Sequence, residues 1–497
     1  MFRGNTNFMY NLYTKLRNFV YTVYTKLENP GISLAAEALM DYMKRKLELP
    51  IAQWATREHH RPLLIQGARR VGKTVLAEHM GKQLFDDGFV KLDFQTDLTR
   101  ISAIFDWPTD DVEGLVRRIA EYKGQEVRPE TTLLILDEIQ LCEQALNSLR
   151  FFEGTPWRVL ATGSLLGVTT KKRSLPFPSG VEQLELHPFD FEEFLWAMGE
   201  EAMATDIRAH VANTTPYIRH DRALEWYRKY LVLGGMPRVL DVYRSEGTFA
   251  ASLEVQREIN ATYIADMTDP DNGISGISAK RIWDSLPKQL LRSSTKKFKY
   301  AEVVRGGRRE RLLEPLEWLS AAGIVTINDL TCDDRAPLAP YNDEEGSYFK
   351  VYVADTGLMF YKFGIDPAVF LDEEMRLNLS SDFRGALAEN FVMQSLAAND
   401  VHTYYWMPTD KVGNGEVDFV FQDRLARVIP VEVKSARNVK AKSLQKFMRE
   451  GSSPYAVRLS ESNFGRTAME GTDGVLLSLP LYAAFCLGPG MEVGEAR

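Results

Sequence analysis

Two glycines, a lysine and a threonine stand as Gly67-x-x-x-x-Gly72-Lys73-Thr74, directly behind the apolar run Leu63-Leu64-Ile65. Glycines at both ends of such a loop let the backbone turn tightly, so that successive N–H groups form a concave nest for phosphate oxygens at a helix start. The stretch Gly67, Ala68, Arg69, Arg70, Val71, Gly72, Lys73, Thr74 and Val75 is expected to cradle the phosphates of ATP. Lys73 would reach the β- and γ-phosphates, and the Thr74 hydroxyl would ligate Mg2+. Downstream, Leu133-Leu134-Ile135-Leu136 ends in Asp137-Glu138. Four apolar residues followed by two acids suit a buried parallel strand whose carboxyl end faces a nucleotide. Asp137 would hold Mg2+ directly or through water, and Glu138 would orient and deprotonate the attacking water. Two solvated acids at a strand end is the plainer reading, and the phosphate loop upstream weighs against it.

A further apolar run, Trp157 to Thr162, ends in Gly163-Ser164. A hydroxyl at this strand end can sense the γ-phosphate through the attacking water, which makes Thr162 and Ser164 sensor candidates. Ser164 suits a helix N-cap equally well. Lys171-Lys172-Arg173 follows. In a homo-oligomer one of these side chains can act as an arginine finger on a neighbour's γ-phosphate; the plainer reading is a solvated charge cluster.

The elements that must position these groups follow from periodicity. Helical patterning runs from Leu34 through Met43 and Leu47 to Trp54, Pro62 opens the first strand, a helix follows the loop, and Phe89 to Phe94 form a second strand. A chain of 497 residues exceeds one ordinary core, so about three domains are expected. Hydrophobic residues make up 45% and charged residues 26%, which excludes wholesale disorder. A net charge of −8 argues against coating nucleic acid nonspecifically while leaving room for a local basic face. Cys142, Cys332 and Cys486 fit neither a disulfide framework nor a zinc site and point to a reducing, cytoplasmic compartment. No window offers the roughly 20 apolar residues of a membrane span. Residues 8–27 come closest, but Lys15, Arg17 and Lys26 interrupt them. They suit a poorly ordered extension, a translation start placed too early, or a basic amphipathic helix at a membrane surface.

Several short motifs occur in this order: Gly67-Ala68-Arg69-Arg70-Val71-Gly72-Lys73-Thr74, Leu136-Asp137-Glu138-Ile139-Gln140, Thr162-Gly163-Ser164-Leu165-Leu166, His187-Pro188-Phe189-Asp190-Phe191-Glu192-Glu193-Phe194 and Gly234-Gly235-Met236-Pro237. Asp355-Thr356-Gly357-Leu358 matches again. The ordered set resembles a widespread family of prokaryotic AAA-type P-loop ATPases with a C-terminal domain of unknown function, over about residues 35–440. The resemblance implies ATP binding and a helical lid subdomain after the sheet. Arg238 and Arg244, near the glycine pair, then suit either reading of nucleotide state or a solvated lid surface.

From Lys280 the pattern runs helix, Lys296-Lys297-Phe298-Lys299-Tyr300, short helix, Arg305-Gly306-Gly307-Arg308-Arg309, a helix from Glu310 to Ala322, and a strand over residues 323–327. That order resembles a winged helix-turn-helix, whose recognition helix can enter a major groove. Lys296, Lys297, Lys299, Arg305, Arg308, Arg309 and Arg311 make the region locally basic, so DNA is an expected partner. Winged helices also dock proteins.

A second chemical set lies beyond Asp382. A helix carries Glu389, and two strands carry Asp418 and Glu432-x-Lys434. Residues two apart on a strand share a face, so Asp418, Glu432 and Lys434 should converge. Such carboxylates can hold Mg2+ or Mn2+, and the ammonium can stabilise a hydroxide or a pentavalent phosphate. The set resembles the PD-(D/E)xK restriction-endonuclease core, with Glu389 matching the acid its first helix often supplies and Val417 in place of the usual proline. Val431-Glu432-Val433-Lys434 is equally an amphipathic strand with an ion pair.

The expected fold class is α/β: a P-loop NTPase (AAA-like) parallel sheet with a helical lid, then a winged helix and a restriction-endonuclease-like α/β domain. The expected boundaries are an extension at 1–33, ATPase domain 34–200, lid 201–275, winged-helix-like domain 276–375, endonuclease-like domain 376–485 and a flexible tail 486–497. The expected function is Mg-dependent ATP binding and hydrolysis coupled to a DNA-facing C-terminal half. The alternatives are an ATP-gated, metal-dependent DNA endonuclease and a nucleotide-controlled DNA- or protein-binding switch without cleavage.

Overall fold

The computed structural model describes residues 42–164, 179–292, 296–341, 348–408, 415–435, 442–451 and 453–491. The expected extension at 1–33 and the Lys171-Lys172-Arg173 cluster lie outside the described residues. The chain forms two compact units that meet in sequence between Leu186 and His187.

In the first unit five parallel strands make one sheet: β1 (Leu63–Gln66), β2 (Phe89–Asp93), β3 (Leu133–Asp137), β4 (Arg158–Gly163) and β5 (Glu182–Glu185), in the order β2-β3-β4-β1-β5. β3 and β4 are buried at every position, as strands with both faces covered must be. Leu64, Leu134, Leu136 and Val159 pack in one cluster with Ile101, Leu115, Ile119 and Leu146 from the helices Leu98–Phe105, Val112–Lys123 and Glu143–Ser148. Each such side chain stabilises the sheet by about 1.5–3 kcal/mol when fully buried. Asp97 and Asp111 cap two of these helices by accepting from Arg100 N and Gly114 N, which fixes where they start. The register sets Ile65 beside Thr162 and Leu136 beside Ala161. Because β4 lies between β1 and β3, the carboxyl ends of all three strands finish side by side.

The helix expected from Leu34 begins, within the described residues, only at Glu48 and runs to Thr56. The Tyr42 hydroxyl and the Arg45 backbone N–H both donate to the Glu48 carboxylate, at 2.9 and 2.7 Å. Side chain to backbone bonds of this kind compete with the helical ladder, and here they hold residues 42–45 out of the helix.

The second unit opens with helices Phe191–Ala197, Glu201–Asn213, His220–Leu233, Pro237–Glu246, Phe249–Thr268 and Gly276–Arg292. The first is fixed by a reciprocal capping box between Asp190 and Glu193. Two further helices, Tyr300–Val303 and Arg309–Ala321, lead into the antiparallel pair β6 (Val325–Thr331) and β7 (Phe349–Val353). The helix Ser381–Ala398 then precedes β8 (Thr403–Trp406), β9 (Val417–Gln422) and β10 (Val428–Val433). The helix Lys442–Glu450, β11 (Tyr455–Ser460), β12 (Gly465–Ala468) and β13 (Val475–Pro480) complete it. All eight strands form one sheet, β12-β13-β11-β10-β9-β8-β6-β7. β6 pairs parallel with β8, so the hairpin that follows the basic region is an edge of this sheet. Positions 386–396 of the helix Ser381–Ala398 are all buried, which removes any one-sided apolar stripe. Packing continues past the expected start of the tail: Cys486 and Leu487 are buried, and the Leu487 carbonyl accepts from Asn399 Nδ2 at 2.9 Å.

All three cysteines are free. Among the described residues no helix is long and apolar enough to cross a membrane.

Candidate functional site

The loop after β1 takes the shape its glycines allow. Gly67 has φ +148°, and a Cβ there would stand 2.2 Å from the Leu186 carbonyl oxygen. Gly72 has φ +97° and directly precedes the helix Lys73–Leu84. Arg70 lies in the left-handed region at φ +67°. This alternation turns successive peptide N–H groups toward one concavity at a helix start. Lys73 is buried, and its ammonium donates to the carbonyls of Gly67 and Ala68 at 3.0 and 2.9 Å. Burial pushes that ammonium down from its usual pKa against the pull of Glu138 and Asp137. Arg45, which sequence reasoning missed, donates from Nη1 to the Val71 carbonyl at 2.9 Å and braces the loop from outside. Val75, counted in the expected cradle, is exposed.

The strand order brings the acids to the loop. Thr74 Oγ1 donates to Asp137, 2.8 Å from Oδ1 and 3.0 Å from Oδ2. Thr162 Oγ1 also donates to Asp137 Oδ1 and accepts the Glu138 backbone N–H at 3.1 Å. Burial pushes the Asp137 carboxyl up, and the two threonine hydroxyls oppose the shift. Hard oxygen donors from Thr74 and Asp137 in hydrogen-bond contact fit a Mg2+ site completed by water and phosphate oxygens.

Glu138 has φ +56°, a conformation L-residues adopt at a cost, and one that recurs at functional sites. Its carboxylate is held by two side chains: Gln140 Nε2 donates to Oε2 at 2.6 Å, and Ser164 Oγ donates to the same atom at 3.2 Å. Gln140 and Ser164 are themselves joined, with Ser164 N donating to Gln140 Oε1 at 3.3 Å. Ser164 therefore meets Glu138; the residues that a Ser164 N-cap would serve lie outside the described residues. Gln140 lay inside a quoted motif without a role; its spacing two residues after Glu138 was the available signal.

Three of the ordered motifs close on one another in the second unit. Gly235 N donates to Asp355 Oδ2 at 2.6 Å, and Phe189 N donates to the Gly235 carbonyl at 2.8 Å. The Tyr230 hydroxyl donates to the Phe189 carbonyl and accepts from Gln394 Nε2, whose Oε1 receives Thr356 N. A Cβ on Gly235 would sit 2.0 Å from the Phe189 carbonyl oxygen. Of the two lid arginines, Arg238 pairs with Asp241 at 2.6 Å on the exposed surface, and Arg244 also has a polar or ring partner.

The C-terminal set assembles, with additions. The register that faces Phe419 with Val431 carries Asp418 next to Glu432. Asp418 Oδ2 accepts from Val433 N at 2.8 Å, and Lys434 Nζ contacts Glu432 Oε1 at 2.8 Å. Glu389 is buried, and its carboxylate accepts from Lys296 Nζ, from Lys350 Nζ at 3.2 Å and from the Tyr352 hydroxyl at 2.6 Å. Lys350, fully buried on β7, also contacts Glu416 Oε1 at 2.7 Å and lies over the Tyr405 ring.

Burial pushes Glu389 up, but the two ammonium groups and the hydrogen bonds outweigh it and hold the carboxyl well below the usual range. Burial, then Glu389, push Asp418 up, and burial pushes Glu432 up against Lys434. Lys434 is raised, because Asp418 and Glu432 outweigh its burial.

The expected Mg2+ or Mn2+ at these carboxylates is not supported. Lysines neutralise Glu389, and among the described residues no three His, Cys, Asp or Glu side chains could hold a metal ion. Lys350, missed in the sequence, had a signal: a lone cation inside the apolar strand Phe349–Val353.

Lys296, counted in the basic face, turns inward to Glu389. Lys297 lies over the Tyr348 ring. Lys299, Arg305, Arg308, Arg309 and Arg311 are exposed.

Residues 59–195 match the model of a family described as "AAA domain". Residues 224–368 match "Domain of unknown function (DUF8612)", and residues 384–482 match "Domain of unknown function (DUF4143)". No curated protein matches the chain. Among solved structures, the chain is similar to Cdc6p from Pyrobaculum aerophilum at 13% identity and TM-score 0.24, over 59% of this chain and 91% of that one. It is similar to the Aeropyrum pernix Orc1 protein, solved in complex with DNA, at 13% identity and TM-score 0.27, over 73% and 94%. The Thermotoga maritima RuvB Holliday junction branch migration motor aligns at 16% identity and TM-score 0.23, over 60% and 90%. At such TM-scores none of the three alignments bears on function. The family match, the parallel sheet and the phosphate loop together make the first unit an AAA-type P-loop domain.

Proposed function

We propose that the chain binds ATP with Mg2+ and hydrolyses it at the loop from Gly67 to Thr74, and that the nucleotide cycle governs a DNA-facing C-terminal half. The observation that carries the first part is the Thr162 hydroxyl, which donates to Asp137 while accepting the N–H of Glu138. One hydroxyl thereby fixes both the metal-side acid and the base relative to the loop. When bound, Mg2+ would supply positive charge against the phosphate oxygens. Lys73 exchanges its bonds to the Gly67 and Ala68 carbonyls for phosphate oxygens, which compensates its burial better than two neutral acceptors do. Thr74 and Asp137 would hold the ion. Glu138 orients the attacking water and takes its proton.

Phosphate release tests this reading. Lys73→Ala should abolish ATP binding, and Glu138→Gln should keep binding while losing about 10²–10⁴ in turnover. Unchanged phosphate release from Glu138→Gln would remove Glu138 from the mechanism.

The element order of three helices followed by the β6–β7 hairpin supports a winged-helix reading, and the exposed Lys299, Arg305, Arg308, Arg309 and Arg311 support a DNA-facing surface. Duplex affinity by fluorescence anisotropy should fall steeply with salt, because phosphate contacts release counterions. No binding at low salt would instead favour a protein partner.

A second reading, cleavage by the C-terminal half, is favoured by one observation. The helix Ser381–Ala398, the antiparallel β8-β9-β10, the helix Lys442–Glu450 and the parallel β11 follow one another as in the endonuclease-like core. The lysines on Glu389 oppose it, so this half is proposed as a nuclease-like scaffold that does not cut. DNA incubated with the protein and Mn2+ should stay intact. Cutting that disappears in Asp418→Ala would reverse that conclusion.

A further inference from the structure

At the carboxyl ends of three parallel neighbours in the second unit, β10, β11 and β13, the chain leaves a small cleft that opens to solvent. Strand ends of open α/β sheets are where ligands collect, because side chains from separate crossings converge there. Ser435 stands just beyond β10 and Glu461 just beyond β11, and both line this cleft. Three arginines face them: Arg228 from the helix His220–Leu233, Arg376 from the short helix Glu373–Leu377, and Arg384 from the first turns of the helix Ser381–Ala398.

The local charge does not balance. Three guanidinium groups meet one carboxylate, and the nearest approach between them, Arg228 Nη2 to Glu461 Oε2, is a long 3.5 Å. Arg376 is 5% exposed, and its Nη1 donates to the carbonyls of Phe370 and Leu371. Arg384 Nη1 donates to the Arg376 carbonyl at 3.2 Å. The Nε atoms of Arg228 and Arg384 are buried without a hydrogen-bond partner. A buried, unmatched guanidinium donor costs about 1–3 kcal/mol, more when charged. Arg384 also lies near a helix N-terminus, where the partial charge is already positive and a cation is disfavoured. An anion in the cleft relieves both penalties.

We propose that this cleft is a phosphate-binding site, separate from the phosphate loop of the first unit. A phosphate group offers several acceptor oxygens and up to two negative charges, matching the planar N–H forks of arginine better than a single carboxylate does. Its position adds a consequence. Gly385 lies between the cleft and the acid set: a Cβ on Gly385 would be 3.9 Å from both Ser435 Oγ and Lys296 Nζ. Ser435 directly follows Lys434. The phosphate would sit across Gly385 from Lys296, the cation paired with Glu389, and a nucleic-acid strand end, a backbone phosphate or a free phosphate compound are the sources of the same chemistry.

Calorimetry on the full chain, in chloride buffer with inorganic phosphate as the probe, tests the site. The Lys73→Ala protein serves as the parent, which removes the phosphate loop as a competing site and keeps this outcome separate from the ATP reading. The parent should bind one phosphate per chain. Arg384→Gln, or Arg228→Gln should the first fail to fold, should weaken it about tenfold or more, the loss of a charge-assisted bond. No phosphate binding by the parent, or equal binding by parent and both folded variants, overturns the proposal. Competing 5′-phosphorylated and 5′-hydroxyl oligonucleotides against the bound phosphate identifies the source. Displacement by the phosphorylated strand alone means a strand end, displacement by both means backbone phosphate, and by neither a free phosphate compound.

Discussion

The Asp355 carboxylate accepts the Gly235 backbone N–H at 2.6 Å, tying a turn of the helical region to the start of the helix Thr356–Phe363. Asp355 Oδ1 also accepts Leu358 N at 2.8 Å as that helix's N-cap. One buried carboxylate therefore satisfies donors from two distant segments. Asp355→Ala orphans both and should lower the stability of the second unit by about 2–4 kcal/mol. Asp355→Asn, which keeps one acceptor oxygen, should lose less. Gly235→Ala should match the alanine variant, because its Cβ would meet the Phe189 carbonyl oxygen at 2.0 Å. Urea unfolding followed by circular dichroism reads all three, and an unchanged midpoint in Asp355→Ala would mean the knot bears little load.

Gln140 is predicted to position the catalytic base without touching nucleotide. Its Nε2 holds Glu138 Oε2 at 2.6 Å, and Glu138 itself sits at an unfavourable φ of +56°. Gln140→Ala leaves the carboxylate to Ser164 alone, so its orientation toward water should loosen. The expected result is a fall of about tenfold in kcat for ATP hydrolysis with nucleotide affinity unchanged. Gln140→Glu places a second negative charge beside Glu138 and should reduce kcat at least as much. Equal loss of affinity and turnover would indicate a structural role for Gln140.

What could be read from the sequence was what neighbouring residues do to one another. Gly67, Gly72, Lys73 and Thr74 act within one loop of chain, and Asp137-Glu138 ends a strand that is apolar up to those acids. The placement of β4 between β1 and β3, which gives Thr162 its two partners, is a matter of strand order that spacing does not encode. Gly234-Gly235 reads locally as a turn, yet Gly235 is required by the approach of Phe189, a long-range contact. Asp418 and Glu432 follow from strand alternation and Glu389 from the resemblance alone, while Lys350 arrives from a strand on the far side of β6, β8 and β9 in the sheet order. Lys296 looked like one more surface cation because nothing in its own segment reveals that Glu389 is the partner.

Lys350 bridges Glu389 and Glu416 from a position with no solvent exposure. Lys350→Met keeps the length of the chain but leaves two buried carboxylates with Lys296 as the remaining cation on Glu389. Breaking one side of a buried ion network costs about 3–5 kcal/mol. In the variant the Glu416 carboxyl, which burial already pushes up, loses the ammonium that opposes the shift, so the stability it supplies is present at low pH and lost as pH rises. The deficit relative to wild type should therefore be largest near pH 8 and narrow toward pH 4.5. A deficit that is flat with pH would show that Lys350 acts through packing on Tyr405 rather than through charge.

His79 contributes to the acid side of the first unit's stability. Its ring stacks on Tyr42 with centroids 3.5 Å apart and planes 6° from parallel. Burial first, and Lys82 second, hold the imidazole down at about 4, against 6.5 for the free side chain. The folded state therefore keeps the ring neutral, while the unfolded chain takes up its proton as pH falls through 6.5. By linkage the unit is most stable above that value, loses stability continuously as pH falls from 6.5 to about 4, and loses nothing more from this group below that. His60 is shifted in the same direction, by burial and then by Arg158, so it adds a parallel slope. His79→Phe retains the stack and removes the proton. Urea midpoints measured at pH 7.5, 6 and 5 should fall more gently in His79→Phe than in wild type, and a variant slope equal to the wild-type slope would assign the acid loss to other groups.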